Sequence, residues 1–138
     1  MDKVIRYTVI DNSPEDEKSI QKDLKDLMGS HDYRIIWVSN KEDIHTLYAF
    51  LEDHEVRPLT NIFKKYGMII EYKDISQDII TGKLPNKEDK KEFEFVTWRR
   101  ILNNFRVSNT TVDDILDVIN DSGMGSLDEL HLEILKKS

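Results

Sequence analysis

The sequence predicts an α+β fold: a three-stranded mixed β-sheet with packed helices, followed by a helical C-terminal extension. Three observations predict it. KVIRYTVI (3–10), DYRIIWVS (32–39) and MIIEY (68–72) have the β-branched and aromatic composition of strands. Between and after them, apolar residues recur at intervals of three and four, the spacing of helices that bury one stripe. The 138 residues, 38% hydrophobic and 34% charged, suffice for one core with an appendage.

Taken in order, the first strand is followed by Ser13, a good N-cap, by Pro14 at a first helical position, and by Asp16 where a capping partner belongs. Ile20, Leu24, Leu27 and Met28 then form a helical stripe that Gly29 ends. After the second strand, Asn40 is expected to cap a helix whose apolar face is Ile44, Leu47, Tyr48 and Leu51. Another helix is expected after Pro58, with Leu59, Ile62, Phe63 and Tyr66 inward and Gly67 at its end. The third strand and a short helix carrying Ile75, Ile79 and Ile80 complete a βαβααβα order.

Residues 1–82 are therefore expected to form the core domain. The stretch GKLPNKEDKKE (82–92) combines Gly, Pro and charge of both signs, which makes 83–92 a linker and 93–138 a helical extension. Phe93 and Phe95 alternate like a strand, but Phe95, Trp98, Leu102 and Phe105 space as a helix, which is expected from Val96 onward. Two short helices follow. One carries Val112, Ile115, Leu116 and Ile119 and stops at Gly123. The other is capped by Ser126, with Glu129 at the reciprocal position and Leu127, Leu130, Ile134 and Leu135 behind it.

The net charge of −7 argues against adsorption of the whole surface to nucleic acid or anionic membrane. Residues 1–82 carry −5, residues 83–106 carry +3 and residues 107–138 carry −5, so a basic island lies between acidic neighbours. Without cysteine there is no disulfide, thiolate metal site or cysteine nucleophile. The N-terminus lacks the pattern of a signal peptide, and no apolar run is long enough to span a bilayer. The expectation is a cytoplasmic protein with no membrane insertion.

The strand ending at Asp11, followed by Ser13-Pro14 and an acidic helix, resembles the start of a receiver domain over residues 7–50. The resemblance implies a Mg²⁺-dependent phosphoacceptor chemistry around Asp11, which stands as the alternative enzymatic reading. The chain departs from that pattern in two ways. Asp11 is followed by Asn12 rather than by a second acid, and no later strands supply the Thr or Ser and the Lys. The simpler role for Asp11 is in a loop beside an acidic helix cap. His31, His45, His54 and His131 show no metal-ligand spacing, and GMGS (123–126) reads as a helix stop and cap rather than a phosphate loop. No catalytic, cofactor-binding or metal-ligating residue is predicted, and no cofactor.

TWRRILNNFR (97–106) interleaves basic and aromatic residues. On a helix Arg99, Asn103 and Arg106 share a flank, whereas Trp98 and Phe105 belong to the apolar stripe and are poorly placed to stack on bases. Trp98, Arg99, Arg100 and Arg106 are the predicted interaction surface. Their expected counter-charges are carboxylates of this chain or of an acidic protein partner. Nucleic-acid binding through Arg99, Arg100 and Arg106 is the second alternative.

TVDDILDVINDSGMGSLDELHLEILKKS (111–138) resembles a short helical segment found at the C-termini of bacterial proteins, including some rhomboid-type proteases. The matching positions are Ile115, Leu116, Ile119, Gly123, Ser126, Leu127, Leu135 and Ser138, while Val118 and Leu130 depart from the pattern. The resemblance implies a bacterial origin and an appended interaction element. It carries over no protease activity. The functional expectation is a non-enzymatic bacterial protein–protein interaction module, acting on a protein partner or by self-association.

Overall fold

The computed structural model describes residues 1–29, 34–83, 93 and 96–137. The chain forms two compact units, Met1–Ile75 and Ser76–Ser138. The division falls before the short helix at 76–80, earlier than the domain end expected at residue 82. His31, residues 84–92, Phe95 and Ser138 lie outside the described residues.

The first unit is built on β1 (Lys3–Ile10), β2 (Ile35–Lys41), β3 (Ile44–Leu51) and β4 (Ile69–Asp74), with α1 (Glu17–Met28) and α2 (Asp53–Lys65). The sheet order is β2-β3-β1-β4 and every pairing is antiparallel. Four antiparallel strands thus replace the expected three-stranded mixed sheet, because 44–51 is a strand and not a helix. From Thr46 to Leu51 every residue of β3 is buried, on both faces of the sheet. A strand buried on both faces loses its alternation, so Ile44, Leu47, Tyr48 and Leu51 imitate helical spacing. Asn40 is a strand residue beside the Glu42-Asp43 turn, where Glu42 takes a left-handed backbone (φ 53°) that Gly or Asn would normally announce.

One face of the sheet, through Ile5, Tyr7, Val9, Leu47 and Leu51, packs against Ile20, Leu24 and Met28 of α1 and Leu59 and Phe63 of α2. Each such burial contributes roughly 1.5–3 kcal/mol. The α1 entry follows the sequence: the Ser13 hydroxyl accepts the Glu15 N–H at 3.2 Å, Pro14 opens a 3₁₀ turn, and Gly29 (φ 66°) returns its N–H to Lys25 O. α2 starts at Asp53 rather than after Pro58, which lies inside it. His54 and Pro58 are both exposed, so water reaches the carbonyl that the missing N–H leaves unpaired.

Buried polar groups of this unit are paired. Tyr7 donates its hydroxyl to Thr60 Oγ1 (2.8 Å), which in turn donates to Val56 O (2.8 Å), and burial pushes the phenol pKa up to about 12. Arg34 reaches Phe50 O (3.2 Å), Met28 O (3.4 Å) and the Glu55 carboxylate, all largely out of water. Burial alone would raise the Glu55 pKa, but Arg34 and the Glu52 N–H outweigh it and hold it below the ordinary range.

The second unit holds α3 (Ser76–Ile80), α4 (Val96–Asn109), α5 (Val112–Ser122) and α6 (Glu129–Lys137), with a 3₁₀ turn at Met124–Ser126. α4 begins at Val96, as the apolar stripe predicts. α5 opens on a reciprocal cap: Thr111 Oγ1 accepts the Asp114 N–H (3.1 Å) and Asp114 Oδ2 accepts the Thr111 N–H (2.8 Å). It buries Ile115 and Val118 and leaves Val112 and Leu116 exposed. Ser126 does not cap α6, because the intervening 3₁₀ turn moves the helix start and the Ser126 hydroxyl goes to Ser122 O (2.8 Å). Asp128 caps it instead, accepting the His131 N–H at 3.1 Å. No helix among the described residues is long and apolar enough to cross a membrane.

Candidate functional site

Strand register places the site. Val9 pairs with His45, and His45 with Asn40, so these three side chains point to the helix-covered face at one end of the sheet. Trp37, opposite Leu47, stands on the same face three residues earlier in β2. Asp11 follows β1, its N–H bonded to Asp43 O (2.8 Å), and so projects beside His45. Asp11, Trp37, Asn40 and His45 rim a cleft of about 250 Å³ between the sheet end and the first two turns of α1, with Ile20, Leu24, Phe63 and Met68 as its floor.

The polar groups are already tied together. His45 Nε2 donates to Asp11 Oδ1, and Nδ1 meets the Asn40 side-chain amide at 2.8 Å. Trp37 and His45 meet at right angles with ring centroids 5.9 Å apart. Glu17 accepts from Asn12 Nδ2 (3.0 Å) and from Gln21 Nε2 (3.3 Å). Both ring nitrogens of His45 thus face side chains of the same unit. Asp11 Oδ2 has no partner among the described residues, and the Asp11 side chain is 54% exposed. Among the described residues no three His, Asp or Glu side chains converge to hold a metal ion.

Comparison of the chain with protein-family models, curated proteins and solved structures gives no match.

The predicted interaction surface, Trp98, Arg99, Arg100 and Arg106, lies on α4 of the second unit. Arg99 and Arg100 are exposed and Trp98 is half-buried, but Arg106 is buried and donates to Asp128 Oδ2 at 2.6 Å. Arg99, Asn103 and Arg106 do share a flank, and it is lined by Asp128, Glu129 and Glu133 of the same unit. Of these carboxylates, Asp128 pairs with Arg106. Next to them His131, 1% exposed, donates Nε2–H to Ile80 O (2.9 Å) and accepts the Asp128 N–H at Nδ1 (3.3 Å). That tautomer makes Arg106 Nη2, 3.2 Å from Nε2, a second donor there, and its acceptor is Asp128. His131 is a structural residue.

Sequence reasoning missed the Asp11–His45–Asn40 group because it placed His45 on a helix. The signal that finds it is the hairpin: two runs rich in β-branched and aromatic residues around the polar NKED at 40–43.

Proposed function

We propose that the protein is a non-enzymatic bacterial protein–protein interaction module. The observation that carries this reading is the exposure of large apolar side chains around the cleft end of the sheet. Ile10 and Ile44, cross-strand neighbours, are 40% and 49% exposed, and Trp37 is 43% exposed. Single exposed apolar residues are ordinary, but this sheet end exposes a cross-strand pair, Ile10 and Ile44, on one face and the Trp37 indole beside the cleft on the other, which fits a protein contact at that end. The resemblance of 111–138 to a C-terminal segment of bacterial proteins supports a bacterial origin and a second contact element, on which Val112 and Leu116 are exposed. The antiparallel neighbours of β1 and the engagement of Asp11 by His45 favour this reading over a phosphoacceptor. The burial of Arg106 favours it over nucleic-acid binding.

The test is affinity capture from a bacterial host with the wild-type chain and with an Ile10→Asp/Ile44→Asp variant, beside sedimentation velocity for self-association. A defined protein, or a second copy, held by the wild type and lost from an equally stable variant supports the reading. Identical profiles for both, with a monomer in each case, contradict it.

A further inference from the structure

We propose that the cleft at the sheet end receives one arginine side chain from a basic peptide segment of the partner. The inference rests on the interaction-module reading and names the chemistry of its contact. Size comes first: pockets for free small molecules run about 300–1,000 Å³, and the cleft, at about 250 Å³, suits one long side chain better. Its floor, Ile20, Leu24, Phe63 and Met68, is apolar and takes an aliphatic stem. Trp37, 43% exposed, offers an indole surface on which a planar cation stacks.

Charge selects the head group. The Asp11 carboxylate gives Oδ1 to His45 and leaves Oδ2 without a partner among the described residues, and Glu17 also lines the cleft with only neutral amide donors on it. The surrounding segments, Asp11–Glu17 and the Glu42-Asp43 turn, hold six carboxylates, against Lys18 and Lys41 next to them in sequence. This electrostatic bias draws a basic segment and repels an acidic one. Arginine fits better than lysine because its flat, weakly hydrated guanidinium stacks on indole while donating in the plane to a carboxylate.

The experiment uses the full chain, ¹⁵N-labelled, and three blocked hexapeptides that differ only at one central position: arginine, lysine or citrulline. Citrulline keeps the shape and removes the charge. The arginine peptide is expected to shift the Trp37 indole N–H and the amides of Asp11, Gln21 and His45, binding at least fivefold more tightly than the lysine peptide and tenfold more tightly than the citrulline one. Asp11→Asn and Trp37→Leu, each checked by thermal melt, should weaken the arginine peptide at least tenfold, and Glu17→Gln about threefold. Because Asp11→Asn also disturbs His45, the Glu17→Gln variant keeps the charge argument testable on its own. Equal binding of arginine and citrulline peptides, shifts confined to other surfaces, or no binding of any peptide overturns the proposal. A partner still captured through Ile10 and Ile44 in that event leaves the interaction-module reading standing, so the two fail separately.

Discussion

The two units solve the burial of polar groups differently. In the first, Arg34, Glu55, Tyr7 and Thr60 sit inside or against a sheet core and find partners far away in sequence, such as Tyr7 with Thr60 and Arg34 with Glu55. In the second, order depends more on local caps: Thr111 with Asp114 and Asp128 with His131, joined by the longer Arg106–Asp128 and His131–Ile80 contacts. Here Arg106 Nε and Thr110 Oγ1 are buried without a partner, the two such side-chain atoms among the described residues. Those pairs tie β1 to α2 and the start of β2 to α2. Each buried polar atom without a partner costs roughly 1–3 kcal/mol, so the second unit gives up stability that the paired groups of the first unit keep.

The largest expected effect is in the first unit. Glu55→Ala strands the Arg34 guanidinium in a site 11% exposed, and breaking such a pair costs about 3–5 kcal/mol. Urea unfolding, with amide exchange in β1 and β3, measures it; a loss below about 1 kcal/mol would remove the distinction between the units. In the second unit, His131→Leu leaves Ile80 O and the Asp128 N–H without their side-chain partner, at a cost of about 2–3 kcal/mol by the same unfolding curve.

Acid acts on both units. Burial raises the Asp128 pKa and the His131 N–H with the Arg106 guanidinium outweighs it; for Asp114, burial is outweighed by the Thr111 N–H and hydroxyl and by Gln77. Folded-state values of Glu55, Asp114 and Asp128 are all depressed. Their stabilisation is therefore complete above the ordinary carboxylate range, about pH 4, and is lost as pH falls through the lower folded values. Melting temperature should decline steeply below about pH 4, and Glu55→Gln or Asp128→Asn should each flatten that decline, the first more than the second.

The smallest effects are local. Thr111→Ala should cost about 1 kcal/mol through the α5 cap. Glu42→Gly should stabilise the β2–β3 hairpin by up to about 1 kcal/mol, since the left-handed turn no longer carries a Cβ. An unchanged or lowered melting temperature for Glu42→Gly would show that the turn is not strained.

Legibility in the sequence follows the same division. β1, α1, α3, α4 and α5 were readable because each has a one-sided pattern with a local stop or start, such as Gly29, Val96 or Gly123. β3 was not, because burial on both faces erases its period and Glu42-Asp43 is an unusual turn pair. That single misreading hid the site, since His45 meets Asp11 across 34 residues only when 44–51 runs back along β1. Ser126 looked like a cap by composition, but the 3₁₀ turn shifted the helix start to Asp128 and Glu129. Arg106 belonged to a basic cluster in sequence and to an ion pair in space.

Whether the protein works through the sheet end of its first unit is tested most directly by placing charge on each exposed apolar patch in turn. Quantitative capture would compare the wild type with Ile10→Asp/Ile44→Asp and with Val112→Asp/Leu116→Asp, all at matched melting temperature. Loss of at least tenfold in captured partner for the first variant, against less than threefold for the second, is the predicted result. The reverse order would move recognition to the helical unit and contradict it.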